Sequence, residues 1–305
     1  MKKLDLRNTD FRVIVGPKLI TEIKRKSKEK GGPYLLHKST QATPTIYYRL
    51  LNGGGIHNKY FYQILDFLEI DKKDAEKEII GLTYNGGKFV YTYLPQLDPL
   101  LFRIICHIIG DGSVASKHTC RWIQHKDNSH WLNELIKEKL GFSPTVSKAG
   151  SESCDAVTIS AYFHRLLKYY LNISVKDIKN YESIKKFHKL PNEYKLQFLF
   201  AFIVDEGHIR YGNARSLIIS QKEKGVIEEI AIILDSFDFD HSIIRKEVSK
   251  KGDIVYRLNI YAEGVEKMYK EIIESMKKYG KYAGLWQKQT LLEEYIHTLK
   301  RPKGF

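Results

Sequence analysis

LLFRIICHIIGDGSV at residues 100–114 and LQFLFAFIVDEGHIR at residues 196–210 decide the architecture of this 305-residue chain. Each is an apolar run of helical length that ends in an acid followed by glycine, Asp111-Gly112 in one and Glu206-Gly207 in the other. One such ending implies only a core helix meeting a turn, because glycine commonly follows a helix. Two carry more, since the segments behind them also repeat. RWIQHK (121–126) answers LIISQK (217–222) as a β-like run, and DNSHWLNELIKEKLG (127–141) answers KGVIEEIAIILDSF (224–237) as a helix. DAVTISAYFHRLLKYYL (155–171) and IVYRLNIYAEGVEKMYKEII (254–273) then each read as a strand followed by a helix. An internal repeat of this kind predicts two copies of one unit packed as a pseudo-dimer.

Upstream, KLITEIKRKSKEK (18–30) places Leu19, Ile20 and Ile23 on one face of a charged helix that Gly31-Gly32 ends. Pro33 opens a second short helix, PYLLHKS. TQA (40–42) forms a turn, and Thr43 is placed to cap a third helix, Pro44 to Leu51. Asn52-Gly53-Gly54-Gly55 stops it, and KYFYQILDFLEI (59–70) reads as a fourth. IIGLTYNGGKFVYTYL (79–94) alternates around Asn85-Gly86 as a hairpin does. Pro95 to Pro99 then punctuates the chain, which places a domain boundary near residue 95.

Fifty Lys and Arg against thirty-six Asp and Glu leave a net charge of +14. The surplus is even: 17 basic and 10 acidic residues precede residue 95, and 33 and 26 follow it. Such a chain favours polyanionic partners, of which nucleic acid is the commonest. Cys106, Cys120 and Cys154 form no CxxC pair, which argues for a reducing compartment and against a disulfide framework. His118, Cys120, His125, His130 and Cys154 match no standard zinc spacing. The N-terminus lacks a signal-peptide core, and the longest apolar stretches fall short of the roughly 20 residues that a membrane span needs. A cytoplasmic protein of prokaryotic type, associated with DNA and not with membrane, is expected.

The paired motifs resemble those of the LAGLIDADG homing endonucleases over most of residues 95–300. The resemblance implies an α+β fold: two pseudo-symmetric αββαββα halves (96–190 and 191–305) forming a saddle over DNA, behind a small, mostly helical domain (1–95). Cys106 and Ala201 sit where the family keeps small residues so that the two motif helices cross closely, with Gly110 and Asp205 on the same face. It further implies that Asp111 and Glu206, with the backbone carbonyls of Gly110 and Asp205, hold two or three Mg²⁺ ions for cleavage of each strand. Gln221-Lys222 matches the family's Gln-Lys near the metals, and His125-Lys126 stands as its first-half equivalent. Lys288 belongs to a basic segment like that of the family's charge-stabilising lysine, although Trp286 aligns with the lysine position itself. His107 replaces an apolar residue in the first motif helix.

The N-terminal run resembles the helix-turn-helix of phage repressors, with Thr43–Leu51 as recognition helix. Gln41, Thr43, Thr45, Tyr47, Tyr48 and Arg49 are then the DNA-contacting candidates, and Ile46 and Leu50 pack inward. A plain four-helix cluster without DNA contact is the other reading. For the whole chain, a Mg²⁺-dependent, site-specific endonuclease acting on double-stranded DNA as a monomer, without an obligate protein partner, stands first. A regulator derived from such an enzyme that no longer cleaves stands second, and an RNA-splicing maturase third. The chain carries no intein framing, so a free-standing protein is expected.

Overall fold

The structure is a computed structural model that describes residues 11–83, 97–114, 119–141, 143–159, 170–171, 181–211, 216–249 and 252–300. Contacts divide the chain into Met1–Pro95 and Gln96–Phe305.

In the first unit, strand β1 (Arg12–Val15) lies between β2 (Ile56–His57) and β3 (Ile79–Thr83), both antiparallel to it. Helices Pro17–Glu29, Gly32–Ser39, Pro44–Leu51, Asn58–Leu68 and Lys72–Lys77 accompany this sheet. Leu19, Ile23, Leu36, Leu50, Phe61, Ile64 and Leu65 form the core with Val13 and Val15. Thr43 caps its helix by accepting the Ile46 N–H at 3.4 Å, and Gly31 takes a left-handed turn at φ 88°. The sheet and the short fifth helix are departures from the sequence reading: β1 and β2 are too short to show a period, and their pairing joins distant segments. The first arm of the expected hairpin is β3, paired with β1; its turn and second arm lie outside the described residues.

The second unit holds two copies of one pattern. The first runs from helix Pro99–Ile109 through β4 (Gly112–Val114), β5 (Cys120–His125), helix Lys126–Leu140, β6 (Thr145–Ala149) and β7 (Ser151–Ile159). The second runs from helix Asn192–Glu206 through β8 (Gly207–Arg210), β9 (Ser216–Gln221), helix Lys224–Ser236, β10 (Arg245–Val248), β11 (Ile254–Tyr261) and helix Ala262–Tyr279. Helix Gln287–Lys300 follows. The sheets have the same antiparallel order, β4-β5-β7-β6 and β8-β9-β11-β10. The fold is therefore α+β and pseudo-symmetric. The closing helix expected of the first copy falls almost wholly outside the described residues.

The two copies meet at their first helices. Every residue from Pro99 to Ile109 is buried, as is every residue from Lys195 to Val204. A helix apolar on nearly all faces has to be enclosed, which is why these segments become the seam. Gly112 and Gly207 serve one steric purpose in both copies. A Cβ at Gly112 would lie 2.4 Å from the Ile108 Cα, and one at Gly207 would lie 2.4 Å from the Ile203 carbonyl oxygen. The strand leaves the helix folded back against its last turn. Gly112→Ala is expected to cost about 1–3 kcal/mol through forced backbone movement, read as a lower urea midpoint with an unchanged m-value.

Candidate active site

Asp111 follows the first seam helix after Gly110 and is exposed; Glu206 is the last residue of the second seam helix and is half-buried. Lys288, from the last helix, reaches beneath this end of the seam. Its ammonium donates to the carbonyls of Ile203 (2.9 Å) and Gly207 (2.7 Å), which flank Glu206. A cation on carbonyls at a helix C-terminus complements the helix dipole. Burial lowers the Lys288 pKa from its ordinary value, and the negative charges of Asp205, Asp111 and Glu206 oppose that fall. One half-buried lysine thus feels both acidic ends.

Behind the acids lies a closed polar network inside an otherwise apolar seam. The Asp205 side chain is fully buried, and its carboxyl Oδ1 accepts from Gln124 Nε2 at 2.8 Å. His107 Nδ1 lies 2.9 and 3.0 Å from its two oxygens, and the Asp111 backbone N–H donates to it. Gly110 makes room: a Cβ there would sit 2.3 Å from Asp205 Oδ2. Arg103, also fully buried, donates through Nη1 to Gln197 Oε1 at 3.1 Å and through Nε to His107 Nε2 at 3.4 Å. The Trp286 ring stacks on His107 at 4.6 Å and lies 4.8 Å from the Arg103 guanidinium carbon. Burial pushes the Asp205 carboxyl up to about 8 against the pull of Lys288 and Arg103. Burial, with Arg103 beside it, holds His107 well below the usual imidazole range.

These shifts predict a pH dependence of stability. Between pH 3.8 and about 8 the folded state keeps a proton on Asp205 that the unfolded chain releases, so this group's contribution falls as pH rises. Below 6.5 the unfolded chain binds a proton on His107 that the folded state refuses, so that contribution falls as pH drops. The two slopes oppose each other below 6.5, and of these two groups only Asp205 still acts from there to about 8. Melting temperature is expected to decline from pH 6.5 to 8, and Asp205→Asn to flatten the decline. An unchanged slope in that variant would refute the assignment.

The site residues expected from sequence divide into several environments. The sheet registers correct one equivalence. Gly112 pairs with Trp122 in the first half and Gly207 with Ile219 in the second, so Gln221 corresponds to Gln124 and not to His125. Gln124, absent from the sequence-based candidates, is buried in the seam. Gln221 is half-buried, its Oε1 accepting the Lys222 N–H at 2.7 Å. Lys222 pairs with Asp253 at 2.8 Å, His125 lies 3.4 Å from Asp127, and Lys126 begins the following helix exposed. Trp286, in a left-handed conformation at φ 53°, donates Nε1–H to the Tyr282 carbonyl and packs the seam, while Lys288 supplies the cation two residues on. Among the described residues no cluster of three or more His, Cys, Asp or Glu side chains is placed to hold a metal ion.

In the N-terminal unit Gln41, Thr43, Thr45, Tyr48 and Arg49 are exposed along one helix and the turn before it. Tyr47 does not belong with them. It is 3% exposed and points inward with Leu50, while Ile46 is half-buried. Tyrosine has an apolar body and a polar tip, so its type did not decide the face.

Residues 193–273 match the LAGLIDADG-like domain. No curated protein matches the chain in sequence. Solved structures similar to it include mesophilic variants of the homing endonuclease I-DmoI, 18% identical, with 58% of this chain and 96% of that one covered at a TM-score of 0.42. I-DmoI in complex with DNA and Ca is 15% identical over 64% of this chain and 97% of that one, with a TM-score of 0.42. Full-length DUF199/WhiA from Thermatoga maritima is 14% identical over 69% of this chain and 64% of that one, again at 0.42. No helix among the described residues is long and apolar enough to cross a membrane.

Proposed function

We propose that this protein is a site-specific endonuclease of double-stranded DNA, with one acid from each half at a shared seam. The observation that carries the reading is the pairing of Asp111 and Glu206 at equivalent ends of two pseudo-symmetric helices, with one half-buried lysine feeling both charges. Asp111 and Glu206 offer hard carboxylate oxygens, a donor chemistry that suits Mg²⁺. Those two side chains, with the carbonyls of Gly110 and Asp205 as further oxygen donors, would hold the two or three ions. Bound there, the metal supplies water activation and neutralisation of phosphate charge.

The chain's own residues do the rest. Lys288, fixed by two carbonyls, presents positive charge where negative charge grows on the attacked phosphate. Gln221, half-buried at the end of β9, offers its amide to orient water or phosphate. The surplus of +14 draws the duplex in and makes binding strongly salt-dependent. Because one chain carries both acids, a monomer suffices. The N-terminal helices add contacts through Gln41, Thr43, Thr45, Tyr48 and Arg49, as a repressor-like helix-turn-helix does.

A second reading, a DNA-binding regulator that does not cut, is favoured by Trp286, an apolar packing residue where the resemblance led to the expectation of lysine. One experiment separates the readings. The protein is incubated with Mg²⁺ and a genomic DNA library, and new double-strand ends are sequenced beside an Asp111→Asn control. Defined ends absent from the control support the endonuclease. Defined sites recovered by pull-down without such ends sink it in favour of the regulator.

A further inference from the structure

We infer, resting on the endonuclease reading, that the Asp205 side chain of the second half is a positioning residue for Asp111 of the first. By holding the Asp111 peptide across the seam, it sets where that carboxylate meets a divalent ion. Asp111 stands at the loosest point of its segment. The first seam helix ends at Ile109, and glycine flanks the acid on both sides, as Gly110 and Gly112. Glycine leaves the backbone its widest freedom, and Gly110 departs from helical geometry at φ −71° and ψ −98°. Glu206, by contrast, is still the last residue of its helix, and Lys288 bonds the carbonyls of Ile203 and Gly207 around it. A carboxylate on a backbone free to swing spends little time where an ion needs it, so something has to hold Asp111 still.

Asp205 supplies that hold. Its carboxyl accepts the Asp111 backbone N–H. A Cβ on Gly110 would lie 2.3 Å from Asp205 Oδ2 and 2.8 Å from Asp205 Cβ, so the carboxyl rests directly against the Gly110 backbone. The glycine that loosens the chain is also what admits the group that fixes it. Asp205 is itself fixed: Gln124 Nε2 lies 2.8 Å from Oδ1, and His107 Nδ1 lies 2.9 and 3.0 Å from the two oxygens. The His107 ring is held in turn by the stacked Trp286 ring at 4.6 Å and by Arg103 Nε at 3.4 Å. The Asp205 and His107 side chains are fully buried and Gln124 is 3% exposed. None of them reaches a substrate, so their effect on the reaction passes through Asp111. One half thus places the other's acid.

The first readout needs neither DNA nor metal. Amide exchange followed by NMR on the unmodified protein is expected to show the Asp111 N–H protected, although the residue is exposed. In Asp205→Ala that protection is expected to vanish at Asp111 while the seam helices keep theirs. The second readout is cleavage of a DNA fragment carrying a site recovered by end-sequencing, with protein in excess. Asp205→Ala is expected to cut on the order of 10- to 100-fold more slowly at saturating DNA, with unchanged DNA affinity and a raised Mg²⁺ requirement. Asp205→Asn keeps an oxygen that accepts the Asp111 N–H, and is expected to restore both the protection and most of the rate. A merely structural role would lower the melting temperature and leave the rate per folded molecule native. If Asp205→Ala does not fold, exchange at Asp111 in the unmodified protein decides. Rapid exchange there, a folded Asp205→Ala that cuts at the native rate, or an asparagine variant as slow as the alanine one overturns the inference and leaves the endonuclease standing. An unmodified protein that binds its site and never cuts it, at any Mg²⁺ concentration, overturns both.

Discussion

Asp111→Asn and Glu206→Gln are each expected to abolish double-strand cleavage while DNA affinity stays the same or rises. Either change keeps the side chain's size and removes one negative oxygen. Asp111 is exposed and Glu206 half-buried at helix ends, outside the packed seam, so folding should be almost unaffected. What disappears is a hard anionic ligand and the electrostatic pull of that carboxylate. Loss of one such preorganised contribution lowers turnover on the order of 10²- to 10³-fold. Affinity moves the other way, because a carboxylate facing phosphates repels them and its removal leaves the basic surface stronger. Cleavage and gel-shift titrations on one DNA fragment check both halves of the statement. Undiminished cutting by either variant would remove that acid from the mechanism.

The legible and the hidden parts of this molecule differ for physical reasons. The seam helices were readable because enclosure demands apolar residues on every face, and Gly112 and Gly207 because a strand pressed on its own helix excludes a Cβ. Thr43 was readable as a cap because its chemistry is local. The sheet of the first unit was not, since β1 and β2 gain their meaning only from each other. The Gln124 equivalence failed for a related reason. Side-by-side reading of RWIQHK and LIISQK aligns His125 with Gln221. Nine residues separate Gly112 from its partner Trp122, and eleven separate Gly207 from Ile219. A one-residue error in strand alignment sends a side chain to the opposite face, here exchanging an exposed histidine for a buried glutamine. The polar network around Asp205 was equally hidden. His107 and Arg103 bond to each other one turn apart in an apolar run, but their carboxyl and amide partners come from the crossing second helix.

That network also sets the largest expected change in stability, at Arg103. The guanidinium is fully buried, lies against Trp286, and donates to Gln197 and His107, yet its Nη2 has no partner among the described residues. Burial pulls its pKa down to about 9, with Asp205 the first charge opposing the fall. Arg103→Ala empties the space beneath Trp286 and strands Gln197 Oε1, with an expected loss of about 3–5 kcal/mol. Arg103→Met tests what the charge itself contributes. Methionine fills much of the same volume, needs no desolvation of a cation and keeps contact with the indole, so its cost should stay under about 1.5 kcal/mol. Urea midpoints at constant m-value measure both. A methionine variant as unstable as the alanine variant would show that the seam depends on the buried charge and not on the packing around it.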